Sequence, residues 1–399
     1  MERADVLVLN AGSTSIKLAR FAHAAGGGLP VRTLSGQLDG LGRPGATLTL
    51  ERPGQPARTR TASGRGGAAP VLLDALAAES ALDDLAAVGH RIVHGGPQLS
   101  EPCALDRTRL AELKRIVPFD PEHLPLAIEL VEALARARPE LPQVACFDTA
   151  FHRDLPRVAQ LLAIPRRYFE AGVRRYGFHG LSCSYLMEAL GRAAGPEAMK
   201  GRVIIAHLGG GSSLTAAYAE KSVDTTMALT PAAGVPMATR SGDVDPGLLG
   251  YLLRTEGLRP DQLEHLLHHE SGLYGLAQSA DVRELLAREA SDSHAADALA
   301  LYCQEVKKRI GALAAVLGGL DTLIFSGGIG VHAPALRARM TLGLEFLGLV
   351  LDPAKNQTNA PLISAPQSRV AVRVIPTDEE VVIARATWAW LAAQKEPSS

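Results

Sequence analysis

Two glycine- and serine-rich hairpins carry the first chemical signal in this 399-residue chain. The stretch VLVLNAGSTSIKLARF (Val6 to Phe21) reads as an apolar strand, a break, and a second strand. It carries two polar residues that a plain hairpin does not need, Asn10 and Lys17. Residues 12–19, GSTSIKLA, align with residues 210–217, GGSSLTAA, at an offset of 198, after a one-residue insertion in the loop. Each copy follows a four-residue apolar run and a polar residue, Asn10 in one and His207 in the other. Such loops suit phosphate, because glycine lets the backbone approach closely and several N–H groups converge on the oxygens. The G-x-x-x-x-G-K-[ST] signature is absent, which argues against a P-loop nucleotide triphosphatase.

Other constellations are weaker. Gly328, Gly330 and Ala333 match G-x-G-x-x-A after the strand-like TLIFS, with Asp352 further on. Only 71 residues follow Gly328 (399 minus 328), too few for two mononucleotide-binding halves, so a dinucleotide-dependent oxidoreductase is disfavoured. His265, His268 and His269 have helical spacing but no complementary ligand cluster, and read as a solvated helix face. His90 and His94 share one side of a β-like run and read as turn and packing residues.

The elements that must position these residues alternate between strand-like and helix-like patterns, as in an α/β protein. Apolar β runs fall at Val6–Leu9, Ala87–Val93, Val144–Phe147, Val203–His207, Thr322–Ser326 and Val370–Ile375. Amphipathic periodicity predicts helices at Leu124–Arg138, Leu181–Ala194, Asp297–Leu317 and Ala335–Leu347. Residues 40–67, rich in Gly, Pro, Arg and Thr, read as a turn-rich β excursion without a sustained apolar period. The end, AAQKEPSS, reads as a frayed tail. The hairpin repeat implies a duplicated α/β domain, with two hairpins facing one cleft.

Composition bounds the function. A net charge of −1 gives no global field to recruit nucleic acid or an anionic membrane, and 4% aromatic residues provide few stacking platforms. An anionic ligand must then be captured locally. Cys103, Cys146, Cys183 and Cys303 are far apart with no C-x-x-C pair, as expected of free thiols in a reducing cytoplasm. MERADVLVL is too short an apolar run for a signal peptide, and the apolar window 311–330 reads as a helix, a turn and a strand.

Together the fragments GHRIVHGG (89–96), CFDTAFH (146–152), RRYGFHGLS (174–182), AHLGGGSSL (206–214), VDTTMALTPAAGVPMATRSGDVDPG (223–247), SADVR (279–283), FSGGIG (325–330) and VIPTDEEVVIAR (374–385) closely resemble the acetate kinase family, which includes propionate and related short-chain acyl kinases. The resemblance spans nearly the whole chain, and RYGFHG and TRSGDVDPG are highly specific. It implies an α/β fold of two duplicated domains like those of actin, sugar kinases and chaperone ATPases. Residues 1–150, joined by the C-terminal helix at about 383–399, would form an N-terminal kinase domain, and residues 151–382 a C-terminal nucleotide-binding domain. The implied activity is reversible phosphoryl transfer from ATP to acetate or propionate. The partners implied are these small molecules and a second copy in a homodimer, with no nucleic acid and no membrane.

Carried over by motif, Arg91 would bind the carboxylate or its acyl phosphate, and Val93, Phe178 and Pro231 would form the acyl pocket. His179 and Arg240 would stabilise the phosphoryl group in flight. Asp148 occupies the family's catalytic acid position, although a carboxylate substrate is already ionised and needs no base. Holding Mg²⁺ or orienting Arg91 is the more economical role for it. Asn10 and Glu379 would contact Mg²⁺, for which Mn²⁺ could substitute, and hard oxygen ligands suit that ion. Lys17, Ser13 and Ser15 would face the ATP phosphates, opposed by the backbone of His207, Leu208, Gly209, Gly210 and Gly211. Asp281, Val282 and Arg283, with Gly328, Ile329, Gly330, Val331 and His332, would hold the adenosine. Taken singly these residues are ordinary: a salt-bridged arginine, a helix cap, a structural histidine. Their joint occurrence in specific motifs carries the assignment.

The chain departs from the family in three places. HLGGGSS stands where HLGNGAS is usual, GIGVHA where GIGEN is usual, and PFDP (118–121) where PLHNP is usual. The first two touch the nucleotide side and leave open pyrophosphate as phosphoryl donor; the alternative reading is a related short-chain acyl kinase that takes another carboxylate as acceptor or pyrophosphate as donor. The third places Phe119 where the acyl pocket usually has leucine. A chaperone-type ATP switch is disfavoured, because no peptide-binding domain follows and two arginines point to a small-anion site.

Overall fold

The computed structural model describes residues 5–12, 15–23, 30–40, 46–61 and 68–394. The chain divides into two compact units, residues 1–150 with 378–399, and residues 151–377. Strands of the first unit are β1 (Asp5–Ala11), β2 (Ser15–Ala22), β3 (Val31–Asp39), β4 (Thr47–Glu51), β5 (Arg58–Thr61), β6 (Leu85–Ile92), β7 (Cys103–Ala104) and β8 (Gln143–Phe147). They form one sheet in the order β5-β4-β3-β2-β1-β6-β8-β7. The second unit has β9 (Val203–Leu208), β10 (Ser212–Tyr218), β11 (Lys221–Thr225), β12 (Thr322–Ser326) and β13 (Ala371–Val374), in the order β11-β10-β9-β12-β13.

The two sheets share a plan. In the first, β3, β2 and β1 pair antiparallel, and β1, β6 and β8 pair parallel. In the second, β11, β10 and β9 are antiparallel, and β9, β12 and β13 parallel. The similarity read in two short hairpins thus extends over five strands of each unit. The inner strands β8 and β12 are buried at every residue, as parallel strands covered on both faces must be.

The excursion at 40–67 is more regular than its composition suggests. In β4, TLTLE, only Leu48 and Leu50 are buried, and spacing of two suffices to add β4 and β5 to the sheet. Residues 41–45 and 62–67 lie outside the described part.

Helix Ser293–Leu317 buries a stripe through Ala295, Ala298, Leu299, Tyr302, Val306 and Ile310, the three- and four-residue spacing of an amphipathic helix. The Asp292 side chain caps its start, and Gly318, at φ 71°, ends it. The helix expected over Ala335–Leu347 is shorter. It spans Pro334–Thr341, since Gly343 at φ 85° breaks it before a 3-10 turn at Glu345–Leu347.

Helix Glu379–Ala393 returns to the first unit and packs on β1, β6 and β8. Residues expected to fray therefore include helical Ala392 and Ala393, while 395–399 lie outside the described part. Gly89 permits the packing: a Cβ there would meet Thr387 Oγ1 at 2.4 Å and Ile383 Cγ2 at 2.6 Å. The approach brings the acidic first turn of this helix to the ends of β1 and β6. Both cores are rich in leucine, each fully buried one contributing about 1.5–3 kcal/mol. Among the described residues no helix is long and apolar enough to cross a membrane.

Candidate active site

In the first unit the polar residues at the strand ends form one charged cluster. Asn10 is 7% exposed, and its Nδ2 donates to Glu379 Oε2 and Glu380 Oε1, both at 3.1 Å. Its Oδ1 accepts from Arg91 Nη1 at 3.2 Å. Arg91 donates from Nε (3.1 Å) and Nη2 to the same oxygen of Asp148, and lies 4.0 Å from Glu379. The other oxygen, Asp148 Oδ1, is buried and has no hydrogen-bond partner. Burial pushes the Asp148 carboxyl up, Arg91 opposes the shift, and Glu379 adds to it. Burial likewise raises Glu380, with Glu379 as the next cause. Burial disfavours the Arg91 cation, but Asp148 and Glu379 outweigh it, so its pKa is raised.

Lys17 faces Asn10 across the β1–β2 ladder and is exposed. It lines a groove with Arg32, Gln37, Thr49 and Glu380. The Ser15 carbonyl accepts from the Gly12 N–H at 2.9 Å, which closes the hairpin. Ser13 lies outside the described residues. Val93 is buried beyond the end of β6.

In the second unit the cluster is made of rings and glycines. His179 adopts φ 58° at the start of helix Gly180–Ala194, and its Nδ1 is hydrogen bonded to Ser213 Oγ at 2.9 Å. Its ring centroid lies 4.5 Å from that of His207, at the end of β9. Arg240 Nη1 donates to the Pro231 carbonyl at 3.2 Å and approaches Met237 Sδ at 3.9 Å. A Cβ on Gly211 would stand 3.2 Å from His179 Nε2 and 3.5 Å from Arg240 Nη1, so these groups converge on one glycine. Phe178 is buried, and its carbonyl meets His152 Nε2 at 3.0 Å.

Beside that cluster opens a cavity of about 650 Å³. Gly209, Gly210, Asp281, Val282, Arg283, Gly328, Ile329 and His332 line it. Segment 328–332 is helical, within Gly327–His332. Asp281 caps helix Val282–Arg288 by accepting from Arg283 N–H, and pairs with the Arg283 guanidinium. Leu208 and Gly330 lie buried behind the wall, and Val331 packs on the core.

A family model, the acetokinase family, matches residues 5–385. The chain belongs to that family. An acetate kinase of Nitrobacter hamburgensis is 42% identical over 400 residues, covering 99% of this chain and 98% of that protein. A propionate kinase of Citrobacter rodentium is 39% identical over 387 residues, covering 95% of each. The crystal structure of Porphyromonas gingivalis acetate kinase superposes with a TM-score of 0.87 at 34% identity, over 97% of this chain and 100% of that one. A propionate kinase structure from Francisella tularensis gives 0.88 at 32% identity, over 96% and 98%. The fold is thus the actin-like, two-unit α/β fold of these acetokinases.

Several residues of these clusters escape a reading of motifs. Glu380 shares Asn10 with Glu379, and only the end-on approach of the C-terminal helix reveals it. Asp120 and His123 pair at 2.7 Å, and their charges act on Arg91 and Asp148. Arg337 is fully buried and spends all five guanidinium N–H groups on Gly330, Val331, Asn356 and Asn359, which braces the cavity wall. His90 and His94 are buried, and burial lowers His90 to about 4. His265 pairs with Glu270 at 3.3 Å.

Proposed function

We propose that this acetokinase transfers a phosphoryl group reversibly from ATP to acetate, with propionate as the alternative acceptor, and works in the cytoplasm as a homodimer. The observation that carries this reading is the fixed guanidinium of Arg91, half-buried among Asn10, Asp148 and Glu379 at the strand ends. A planar, permanently ionised fork held in place suits a small carboxylate. One carboxylate oxygen attacks the terminal phosphorus of ATP as the bond to the ADP oxygen breaks. No proton moves, because the acceptor is already ionised. Asp148 therefore orients Arg91 and is no base. His179 and Arg240 supply positive charge and donors to the equatorial oxygens, where charge develops in transfer. By the family's motifs, Val93, Phe178 and Pro231 would enclose the acyl group, and Lys17, Ser13 and Ser15 would face the phosphates.

Asp148, Glu379 and Glu380 outnumber Arg91 in charge, and Asp148 Oδ1 is a buried oxygen without a partner. This suits Mg²⁺, or Mn²⁺ in its place. Asn10, Asp148 and Glu379 would hold it. Among the described residues no group of three or more His, Cys, Asp or Glu side chains is placed to hold a metal ion; Mg²⁺ usually keeps several waters and takes ligands from substrate phosphates. When bound, the ion neutralises donor phosphate charge.

The cavity of about 650 Å³ behind Gly209 has room for a nucleoside, which supports ATP over pyrophosphate despite the altered motifs. Purified protein with Mg²⁺, acetate and either ATP or pyrophosphate, trapped with hydroxylamine, should give hydroxamate with ATP. Absence of hydroxamate with acetate, propionate and butyrate would overturn the reading, and product with pyrophosphate alone would overturn the donor.

A further inference from the structure

The phosphate-facing loop of the second unit has lost one side chain and gained another. Gly210 stands where the family usually has asparagine, and Ser212 where it has alanine. A Cβ at Gly210 would touch nothing within 4 Å, so the tip of the loop has no side chain to hold it. Ser212, by contrast, is fully buried and tied on every side. Its Oγ accepts from the Gly209 N–H at 3.2 Å, donates to the Gly209 carbonyl at 3.2 Å, and meets Tyr302 Oη at 3.0 Å.

The geometry and the donor count are consistent with one direction for this relay. Serine has one O–H and two acceptor sites. With its proton on the Gly209 carbonyl, Ser212 must accept from both Gly209 N–H and Tyr302 O–H. Burial raises the Tyr302 pKa and keeps the phenol protonated, as this arrangement requires. Tyr302 is 0% exposed in the buried stripe of helix Ser293–Leu317, the longest helix described, so its hydroxyl is fixed by a rigid element. Gly209 thus spends both its N–H and its carbonyl on Ser212, which leaves Gly210 and Gly211 to present amides to a phosphate.

We infer that Tyr302 is a positioning residue for the phosphoryl donor, acting through Ser212 to hold the loop His207–Gly211 in its phosphate-binding shape. The inference rests on the reading that this loop holds donor phosphates. A preorganised loop binds without a new ordering cost, whereas a loosened one must be ordered by the ligand. The loss should therefore fall on the nucleotide and spare the carboxylate.

The test is a double-mutant cycle with Tyr302→Phe and Ser212→Ala, each deleting one hydroxyl without adding bulk. Each single variant should raise the KM for ATP and the Kd for MgADP by about three- to tenfold, with the KM for acetate unchanged. Because the two hydroxyls act as one relay, the double variant should be no worse than Ser212→Ala. Thermal unfolding run in parallel separates this from general loosening, which would raise both KM values together. Unchanged ADP affinity in both single variants, fully additive effects, or an equal rise in the KM for acetate would overturn the inference while leaving the kinase reading intact. A wild-type protein that neither binds MgADP nor forms hydroxamate would overturn both.

Discussion

Asn10 and His207 occupy equivalent places, each at the end of the first strand of a five-strand plan, yet their surroundings are opposite in kind. Asn10 sits among three carboxylates and a guanidinium, with every charge held by a partner or a hydrogen bond. His207 sits against a second imidazole and a run of three glycines, with Arg240 as the nearby cation. One scaffold thus carries a charge-dense cluster in its first copy and a backbone-dense one in its second. Charges are costly to bury and must be paired. Backbone amides carry no such penalty, but require glycine where other groups come close.

The comparison breaks most visibly at Arg91. Arg91→Ala should lower hydroxamate formation by about 10³-fold, the upper range for loss of one preorganised donor. It should also cost about 3–5 kcal/mol of stability, because Asp148 is left charged and buried. Adding Asp148→Asn should restore much of the stability and none of the rate. Arg240→Ala should match the catalytic loss with a smaller fall in Tm, since its removal leaves the Pro231 carbonyl and the Met237 thioether, neutral groups, rather than a buried carboxylate. Equal destabilisation by the two alanine variants would erase the distinction between the clusters.

Gly211 is the corresponding weak point of the second cluster. A methyl there must displace His179 Nε2 from 3.2 Å, and Arg240 Nη1 stands at 3.5 Å. Gly211→Ala should lower kcat by about 10²-fold, the scale of small misplacements in a reacting geometry, with Tm nearly unchanged. A wild-type kcat would show that His179 and Arg240 need not converge here.

These contrasts also show what was legible in the amino-acid sequence. Strand ends were readable at Asn10, Asp148 and His207, where apolar runs stop, whereas Arg91 sits inside the run at 87–93. The duplicated hairpin announced itself through glycine spacing. Glu380 was not readable as distinct from Glu379, since both sit in TDEE and only the angle at which the C-terminal helix meets β1 gives each an Asn10 hydrogen bond. Ser213, which holds His179, and Arg337, which braces the wall at Gly330, depend on burial and cross-strand register. Both arise from packing far apart along the chain. The overlong helix at 335–347 failed because Gly343 needed positive φ, which an apolar periodicity does not reveal.

A pH series sharpens the charged side of the comparison. Glu380 has its pKa raised by burial and by Glu379, so the folded protein holds that proton more tightly than the unfolded chain. Its ionisation therefore destabilises the fold above the ordinary glutamate value of 4.5, and the cost is complete once pH exceeds the raised folded value. Glu380→Gln keeps an oxygen for Asn10 and removes the charge. Its Tm should exceed wild type by about 2 °C at neutral pH. The gap should close as pH falls through the folded pKa towards 4.5. A gap that widened on acidification would mean Glu380 is stabilised as an anion.

The smallest effect is expected one residue from Gly211. A Cβ on Gly210 would meet nothing within 4 Å, and its φ is not in the left-handed region. Gly210→Ala should thus cost no contact, and should gain about 0.4–1 kcal/mol by restricting the unfolded chain. ATP KM should stay within about threefold of wild type, since the phosphate is met here by backbone and the loop is held by Ser212 rather than by residue 210. Two adjacent glycines in one loop would then differ by about two orders of magnitude in kcat on gaining the same methyl group. If Gly210→Ala instead lowered kcat as far as Gly211→Ala, close approach of His179 and Arg240 would not be what makes Gly211 special. The second cluster would then require free backbone rotation rather than a fixed backbone surface.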